Sequence, residues 1–265
     1  MIQGQEKICS LIDNSTLDSF PRTLMLVGSR GSGKHLLCNY ISDKFNLTTV
    51  DLTESINQET IDEIYNRVEP YLYTININSI SVKEENTILK FLEEPLKNSF
   101  IVLLAETNNG ILQTIINRCQ IWYLQPYKRV FLESFMQSDN AFILEIAQTP
   151  GMVKELSNAP LTGMIELADK IIDKIGIASI SNALKLSSTI GFKNEKNTFD
   201  GKLFVQILQS RIKSHWVTNS DVRFLHAYNL TNELKKDISV RNLDYKALFE
   251  DYLIELRNIM KGNNV

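Results

Sequence analysis

The segment LVGSRGSGKHLL holds the residues with the clearest chemical potential in this chain. Gly28, Gly33 and Lys34 fit the pattern G-x-x-x-x-G-K, which joins a strand to a helix in phosphate-binding proteins. Glycine backbones let N–H groups converge on phosphate oxygens, the helix dipole adds partial positive charge, and the lysine adds a full one. The residues predicted to contact the nucleotide here are Gly28, Gly31, Ser32, Gly33, Lys34 and His35. The ligand would be ATP or ADP, but an ordinary glycine-rich turn with an exposed lysine also fits the pattern.

The residues that normally hold magnesium beside such a loop are replaced. A Ser or Thr hydroxyl usually follows the lysine, and an acidic residue usually ends a neighbouring strand. Here His35 follows the lysine, and a neutral imidazole is a poor ligand for a hard cation that prefers oxygen. Ile75 and Asn76 stand where carboxylates are expected. We therefore predict that this site does not use magnesium and that the chain has no intrinsic ATPase activity.

Short apolar runs alternate with longer amphipathic ones in the first half of the chain, which is typical of a parallel sheet wrapped by helices. The predicted strands cover residues 23–27, 48–52, 71–78, 100–106 and 119–124. Five strands with helical crossovers predict a doubly wound α/β domain with its ligand at the carboxyl ends of the strands.

After Pro126 the strand pattern stops and the remainder is helical in pattern. Turn signals at 149–151 and 158–163 separate a small helical module from a larger one. The predicted domains are therefore an α/β domain over 1–128, a small helical domain over 129–160 and an all-α domain over 161–265.

Composition narrows the class of protein. A net charge of −3 gives no global attraction to nucleic acid, so contact with DNA would need a local basic face or partner subunits. The three cysteines are widely spaced and support neither a disulfide framework nor a zinc site. No stretch approaches the roughly 20 apolar residues of a membrane span. We expect a cytoplasmic protein without membrane contact.

The segment ENTILKFLEEPLKNSFIVLLAETNNGILQTIINRCQIWYLQP resembles bacterial DNA polymerase III clamp-loader subunits. In that family an N-A-L-L-K-x-L-E-E-P-P run is followed by an apolar strand with a Thr-Asn sensor and then by I-x-S-R-C-Q. The matching residues are Asn86, Leu89, Lys90, Leu92, Glu93, Glu94, Pro95, Ile115, Arg118, Cys119 and Gln120. The segments IQGQEKICSLI and AQTPGMVKELS also resemble the family's first helix and its lid motif, so the resemblance spans about residues 1–160.

The resemblance implies an AAA+ P-loop module, a small helical lid and a C-terminal helical collar through which subunits form a ring. It implies gamma or tau and delta subunits as partners. The sliding clamp and primed DNA would be contacted through the complex. The activity implied for the assembly is ATP-dependent clamp loading during DNA replication, as a component of the DNA polymerase III holoenzyme, a DNA-directed DNA polymerase.

Departures from the family pattern favour its delta-prime type, which has a decayed nucleotide site but keeps the arginine of the S-R-C motif. Gly151 stands where the motor subunit has a lid arginine, and the four-cysteine zinc insertion is absent. The resemblance implies that Arg118 is an arginine finger acting on the neighbouring subunit's nucleotide, although an arginine covering a helix end also fits. Asn117 replaces the usual serine beside it. Thr107 is either a sensor of the γ-phosphate or part of a polar turn.

Two alternatives stay open. One is a clamp-loader ATPase of the gamma or tau type with weak activity. The other is a free-standing P-loop kinase or hydrolase. Against the second, we find no other carboxylate at a strand end, and a small-substrate site would leave the C-terminal helices without a role.

Overall fold

The computed structural model describes residues 2–94, 99–137, 140–192, 199–238 and 243–262. Pro95 of the matching motif lies outside these residues. Among the described residues, no helix combines the length and the apolar character needed to cross a membrane.

A five-stranded parallel sheet forms the centre of the first half of the chain. Its strands are β1 (Thr23–Val27), β2 (Thr48–Asp51), β3 (Tyr71–Asn76), β4 (Phe100–Ala105) and β5 (Gln120–Tyr123). They lie in the order β2-β3-β4-β1-β5, so β1 pairs with β4 on one side and with β5 on the other. β4 is buried along its whole length, whereas β2 is a largely exposed edge strand. The predicted doubly wound α/β sheet is confirmed.

Helices cover both faces of this sheet. They are α1 (Glu6–Asp13), α2 (Lys34–Phe45), α3 (Gln58–Tyr65), α4 (Val82–Glu93) and α5 (Gln113–Ile116). Successive residues of a strand point to opposite faces. In β1, Leu24 and Leu26 therefore face the core that α1 and α2 build, and Met25 and Val27 face the core that α3, α4 and α5 build. Burial on both faces explains why this strand is a continuous apolar run.

The remaining helices follow the sheet in sequence. They are α6 (Arg129–Glu133), α7 (Ile143–Ile146), α8 (Pro150–Asn158), α9 (Leu161–Lys174), α10 (Ile180–Lys185), α11 (Gly201–Asn219), α12 (Val222–Asp237) and α13 (Tyr245–Lys261). The chain divides into two compact units. One comprises Met1–Asn140 and Ala147–Ser157, and the other comprises Ala141–Ile146 and Asn158–Val265. A separate lid over 129–160 stays a prediction.

The second unit is built around α9, α11, α12 and α13. Phe204 of α11 meets Phe249 of α13 edge to face, with ring centroids 6.2 Å apart. Thr231 of α12 and Tyr252 of α13 share a buried hydrogen bond of 2.9 Å. Burial raises the pKa of the Tyr252 phenol, so it stays neutral in this core. Aromatic packing and a satisfied polar pair thus fix α13 against its neighbours.

The expectation of a purely helical second half is wrong in one detail. β6 (Ile190–Gly191) and β7 (Phe199–Asp200) form a parallel pair of two residues each. Two residues are too few for an alternating pattern to be recognised in sequence. The pair has a local consequence, since Asp200 at its end accepts a hydrogen bond from the Leu203 N–H and caps α11.

The central strand provides a test of where stability resides. Leu26→Ala should lower the free energy of unfolding by about 2–5 kcal/mol, because Leu26 is fully buried in β1 and the substitution leaves a cavity. Leu11→Ala on α1 is the control, since Leu11 is 47% exposed and should change stability by only about 0.5 kcal/mol. Urea unfolding of both variants measures the difference. Equal losses would contradict this account of the core.

Candidate functional site

The phosphate loop joins β1 to α2 in a conformation that requires glycine. Gly31 and Gly33 have φ values of 74° and 94°, in the left-handed region that glycine adopts without steric cost. Gly33 is the residue before α2, and the helix begins at Lys34. The Gly28 N–H donates to the carbonyl of Ala105 at the end of β4, 3.0 Å away, so the loop starts from a fixed point on the sheet.

The start of α8 braces the other side of the loop. The Gly151 N–H donates to the Gly31 carbonyl at 3.1 Å, and the Thr149 hydroxyl donates to the Arg30 carbonyl at 2.7 Å. A Cβ on Gly151 would lie 2.4 Å from the Gly31 Cα, a distance that real side chains do not reach. A side chain at position 151 would therefore displace the loop backbone.

Lys34 occupies the loop with its own ammonium group. Its Nζ donates to the carbonyls of Gly28 and Ser29, at 2.5 and 3.2 Å. Burial lowers the pKa of Lys34, and the negative charge of Glu106 opposes that shift. Backbone carbonyls thus accept the hydrogen bonds that Lys34 could donate to phosphate oxygens. A bound phosphate would compete with these carbonyls for the same ammonium group.

A cavity of about 440 Å³ opens in front of the loop. Its lining residues are Arg30, Gly31, Ser32, Gly33, Lys34, His35, Leu36, Asn76, Leu104 and Glu106. The Ser32 side chain is buried, and its Oγ has no hydrogen-bond partner among the described residues. A buried hydroxyl without a partner is costly unless a ligand or a water satisfies it. The loop residues predicted from sequence are thereby brought together around one space, with Gly28 holding Lys34 at its base.

The positions expected to hold magnesium carry no carboxylate. Asn76 ends β3 and lines the cavity, while Ile75 is fully buried in the core. His35 is the second residue of α2 and lines the same space. The replacement of both metal ligands stays a prediction from the sequence.

Glu106 corrects the expectation that no other carboxylate stands at a strand end. It directly follows β4 and lines the cavity beside Lys34, and Asp51 is the last residue of β2. The Glu106 N–H donates to the Asn78 side chain at 2.6 Å, which fixes its backbone. Glu106 could have been found from the sequence, because it ends the apolar run FIVLLAE. Sequence reasoning missed it by looking for carboxylates only after β3.

An apolar pocket of about 550 Å³ adjoins the phosphate cavity and shares Gly31, Gly33 and Leu36 with it. Tyr127 and Phe131 line this pocket and stack with ring centroids 5.4 Å apart. The Tyr127 hydroxyl also donates to the Ser32 carbonyl at 2.7 Å. Flat aromatic faces beside a phosphate cradle suit a planar base. Sequence reasoning missed this pocket, although the spacing of four between the two aromatic residues was visible.

Thr107 is not among the residues that line the described phosphate cavity. Its hydroxyl accepts a hydrogen bond from the Asn109 N–H at 3.2 Å, and Asn108 donates to the Tyr123 hydroxyl at 3.1 Å. These bonds belong to a polar turn after β4, the second of the two roles that the sequence left open. A role for Thr107 as a sensor stays a prediction.

Arg118 lies just before β5, at the amino ends of the strands. Its Nη1 donates to the Thr114 carbonyl at 2.7 Å, and its Nη2 pairs with a carboxylate oxygen of Glu93. The Thr23 hydroxyl at the start of β1 holds the Arg118 carbonyl at 2.5 Å. The phosphate loop follows the opposite end of β1, about 13 Å away for four steps of a parallel strand. Arg118 is therefore separated from the chain's own phosphate loop by the full length of β1.

Cys119 has the environment of a core residue. It packs against the cluster that α3, α4 and α5 build, and burial raises the pKa of its thiol to about 12. A thiol with that pKa holds almost no thiolate near neutral pH and is a poor nucleophile.

Comparisons with known proteins single out the segment that carries Arg118. Residues 72–128 match the family described as DNA polymerase III, delta subunit. The chain is 27% identical over 92 residues to DNA polymerase III subunit delta' of Haemophilus influenzae, which covers 35% of this chain and 28% of that protein. It is 34% identical over 88 residues to the Bacillus subtilis subunit of the same name, which covers 33% of this chain and 25% of that protein. The matched part thus spans about a quarter of each relative.

The fold has a broader likeness. The RuvB Holliday junction branch migration motor of Thermotoga maritima aligns with 96% of this chain and 87% of its own, with a TM-score of 0.50 and 15% identity. At that identity the likeness concerns the fold alone, a parallel α/β sheet followed by helices. On that fold, and through the motifs of residues 72–128, the chain is similar to the delta-prime type of DNA polymerase III clamp-loader subunit.

Proposed function

We propose that this chain acts as a delta-prime-like subunit in a clamp loader, where it assists ATP-dependent loading of a sliding clamp onto primed DNA. In this proposal it supplies Arg118 to the nucleotide of a neighbouring subunit. The observation that carries the proposal is the place of Arg118 at the amino ends of the strands, a strand's length from its own phosphate loop. An arginine there can act on a nucleotide only if another subunit presents it.

The chain's own loop binds ATP or ADP without hydrolysing it in this proposal. The glycine geometry, the unpartnered Ser32 hydroxyl and the adjoining aromatic pocket support binding. His35 and Asn76 in place of the metal ligands argue against phosphoryl transfer. The site would then hold a nucleotide as a fixed part of the subunit.

We infer that the partners are gamma or tau and delta subunits in a cytoplasmic assembly. The C-terminal helices would form the collar that joins them. Helices α11 and α13 each carry a row of apolar residues on one face. Most of each row is buried within its own unit, namely Ile207 and Ile212 of α11 and Tyr252 and Leu256 of α13. Half-buried residues at their margins remain available for neighbours, namely Leu203, Leu248 and Ile259.

A second candidate function is a weak ATPase of the gamma or tau type, and Glu106 is the observation that favours it. Its carboxylate reaches the phosphate cavity from β4. Carboxylate oxygen is the ligand that magnesium prefers, so Glu106 could replace the acidic residue missing from β3. Replacement of Glu106 therefore distinguishes the two candidate functions by experiment.

The purified chain should turn over ATP at well below about 1 s⁻¹, the low end for ordinary enzymes, because the metal ligands are replaced. His35→Thr alone should not restore activity, since Asn76 still provides no carboxylate. Steady-state phosphate release measures both proteins. Turnover above this rate that Glu106→Gln abolishes would favour the second candidate.

Arg118→Ala should lower the DNA- and clamp-stimulated ATP hydrolysis of the reconstituted complex by a few-fold. Arginine fingers contribute on the order of 10³ or more in rate at one site, but only one of several sites would lose its finger. Arg118→Lys should behave like the alanine variant, because lysine cannot copy the forked guanidinium contact. Arg129→Ala is the control, since the Arg129 side chain is 61% exposed beside Glu133. Unchanged ATPase and clamp loading by assembled Arg118 variants would refute the finger.

Truncation after Pro160 should abolish entry into the loader complex if the collar joins the subunits. Native mass spectrometry of the truncated and full-length chains, mixed with the partner subunits, measures assembly. Circular dichroism of the truncated chain checks that its sheet persists. Full assembly by a folded truncated chain would assign the contacts to the first unit instead.

A further inference from the structure

Glu93 ends helix α4 at a point that the surrounding structure fixes. The Tyr65 hydroxyl donates to the carbonyls of Lys90 and Glu94, at 3.3 and 3.0 Å, and so ties down the last turn of the helix. The Tyr65 ring also meets the ring of Phe91, with centroids 6.0 Å apart. The Glu93 carboxylate therefore projects from a rigid helix end.

Arg118 is held from two sides at once. One guanidinium nitrogen pairs with Glu93 on α4, and the other donates to the Thr114 carbonyl in α5. Its backbone is fixed in turn by the Thr23 hydroxyl of β1. Both terminal nitrogens, the pair that a phosphate would engage in a forked contact, already have partners.

The pair with Glu93 is suited to exchange. The side chains of Arg118 and Glu93 are 33% and 48% exposed, and ion pairs with this exposure contribute little to stability. A phosphate group carries more negative charge than one carboxylate and offers several oxygens to a guanidinium. A nucleotide presented to this face can therefore displace Glu93 without disturbing the core.

We propose that Glu93 is a positioning residue that restrains Arg118 until the phosphates of a neighbouring subunit's nucleotide replace its carboxylate. The proposal rests on the finger role proposed above for Arg118. Restraint predicts an effect opposite in sign to the loss of the arginine, because removing the Glu93 charge frees the guanidinium to engage phosphate.

The first experiment uses the isolated chain, so it does not depend on partners. Glu93→Gln should speed the reaction of Arg118 with phenylglyoxal, followed by peptide mass spectrometry, by about two- to five-fold, the range that an exposed ion pair supports. Glu94→Gln is the matched control, since Glu94 is the exposed neighbour at the same helix end and its substitution removes the same charge. Equal adduct rates at Arg118 in the two variants would overturn the proposal.

The second experiment uses the reconstituted loader. Glu93→Gln should raise stimulated ATP hydrolysis above that of the Glu94→Gln complex, by less than the about two- to five-fold gain expected at the one site that Arg118 serves, while Arg118→Ala lowers it. If Arg118→Ala lowers the rate and Glu93→Gln leaves it unchanged or lowers it, Glu93 does not restrain the finger. If Arg118→Ala has no effect on the rate, Arg118 is not an arginine finger. The proposed restraint by Glu93 is then also wrong, whatever the adduct rates show.

Discussion

The burial of β1 between β4 and β5 is the constraint on which both candidate sites depend. Its four apolar residues pack against helices on both faces of the sheet, and its backbone pairs with a strand on each side. Thr23 at its amino end fixes the Arg118 backbone, and Gly28 after its carboxyl end opens the phosphate loop. β1 thus holds Arg118 near its amino end and the phosphate loop at its carboxyl end. In a ring of similar subunits, that separation would allow each end of the strand to serve a different interface.

The phosphate loop is fixed by packing as well as by backbone conformation. Gly31 and Gly33 have positive φ angles, and Gly31 also lies in close contact with Gly151 at the start of α8. A Cβ at position 151 would lie 2.4 Å from the Gly31 Cα. The conformation of the loop therefore depends on glycines from two separate elements.

The cations at the two ends of β1 have different surroundings. In the phosphate cavity Lys34 is half-buried, and its ammonium group points towards backbone carbonyls, with Glu106 nearby. Near the amino end of β1, Arg118 is partly exposed beside Glu93. Desolvation makes the first group costly to move, whereas solvent makes the second easy to exchange.

The sequence by itself determined the five strands of the parallel sheet and the glycine loop between β1 and α2, because each depends on contiguous residues with a recognisable period or spacing. Even the bounds of β1 agree with the apolar run TLMLV. Only the tertiary structure decided that Glu106 reaches the cavity beside Lys34, that Glu93 pairs with Arg118 25 residues away, and that α8 packs against the loop through Gly151. Those contacts join residues from separate elements, and no local pattern encodes which helix end or strand end will meet another. The pairing of β6 with β7 was missed for a related reason, since strands of two residues have no period to read.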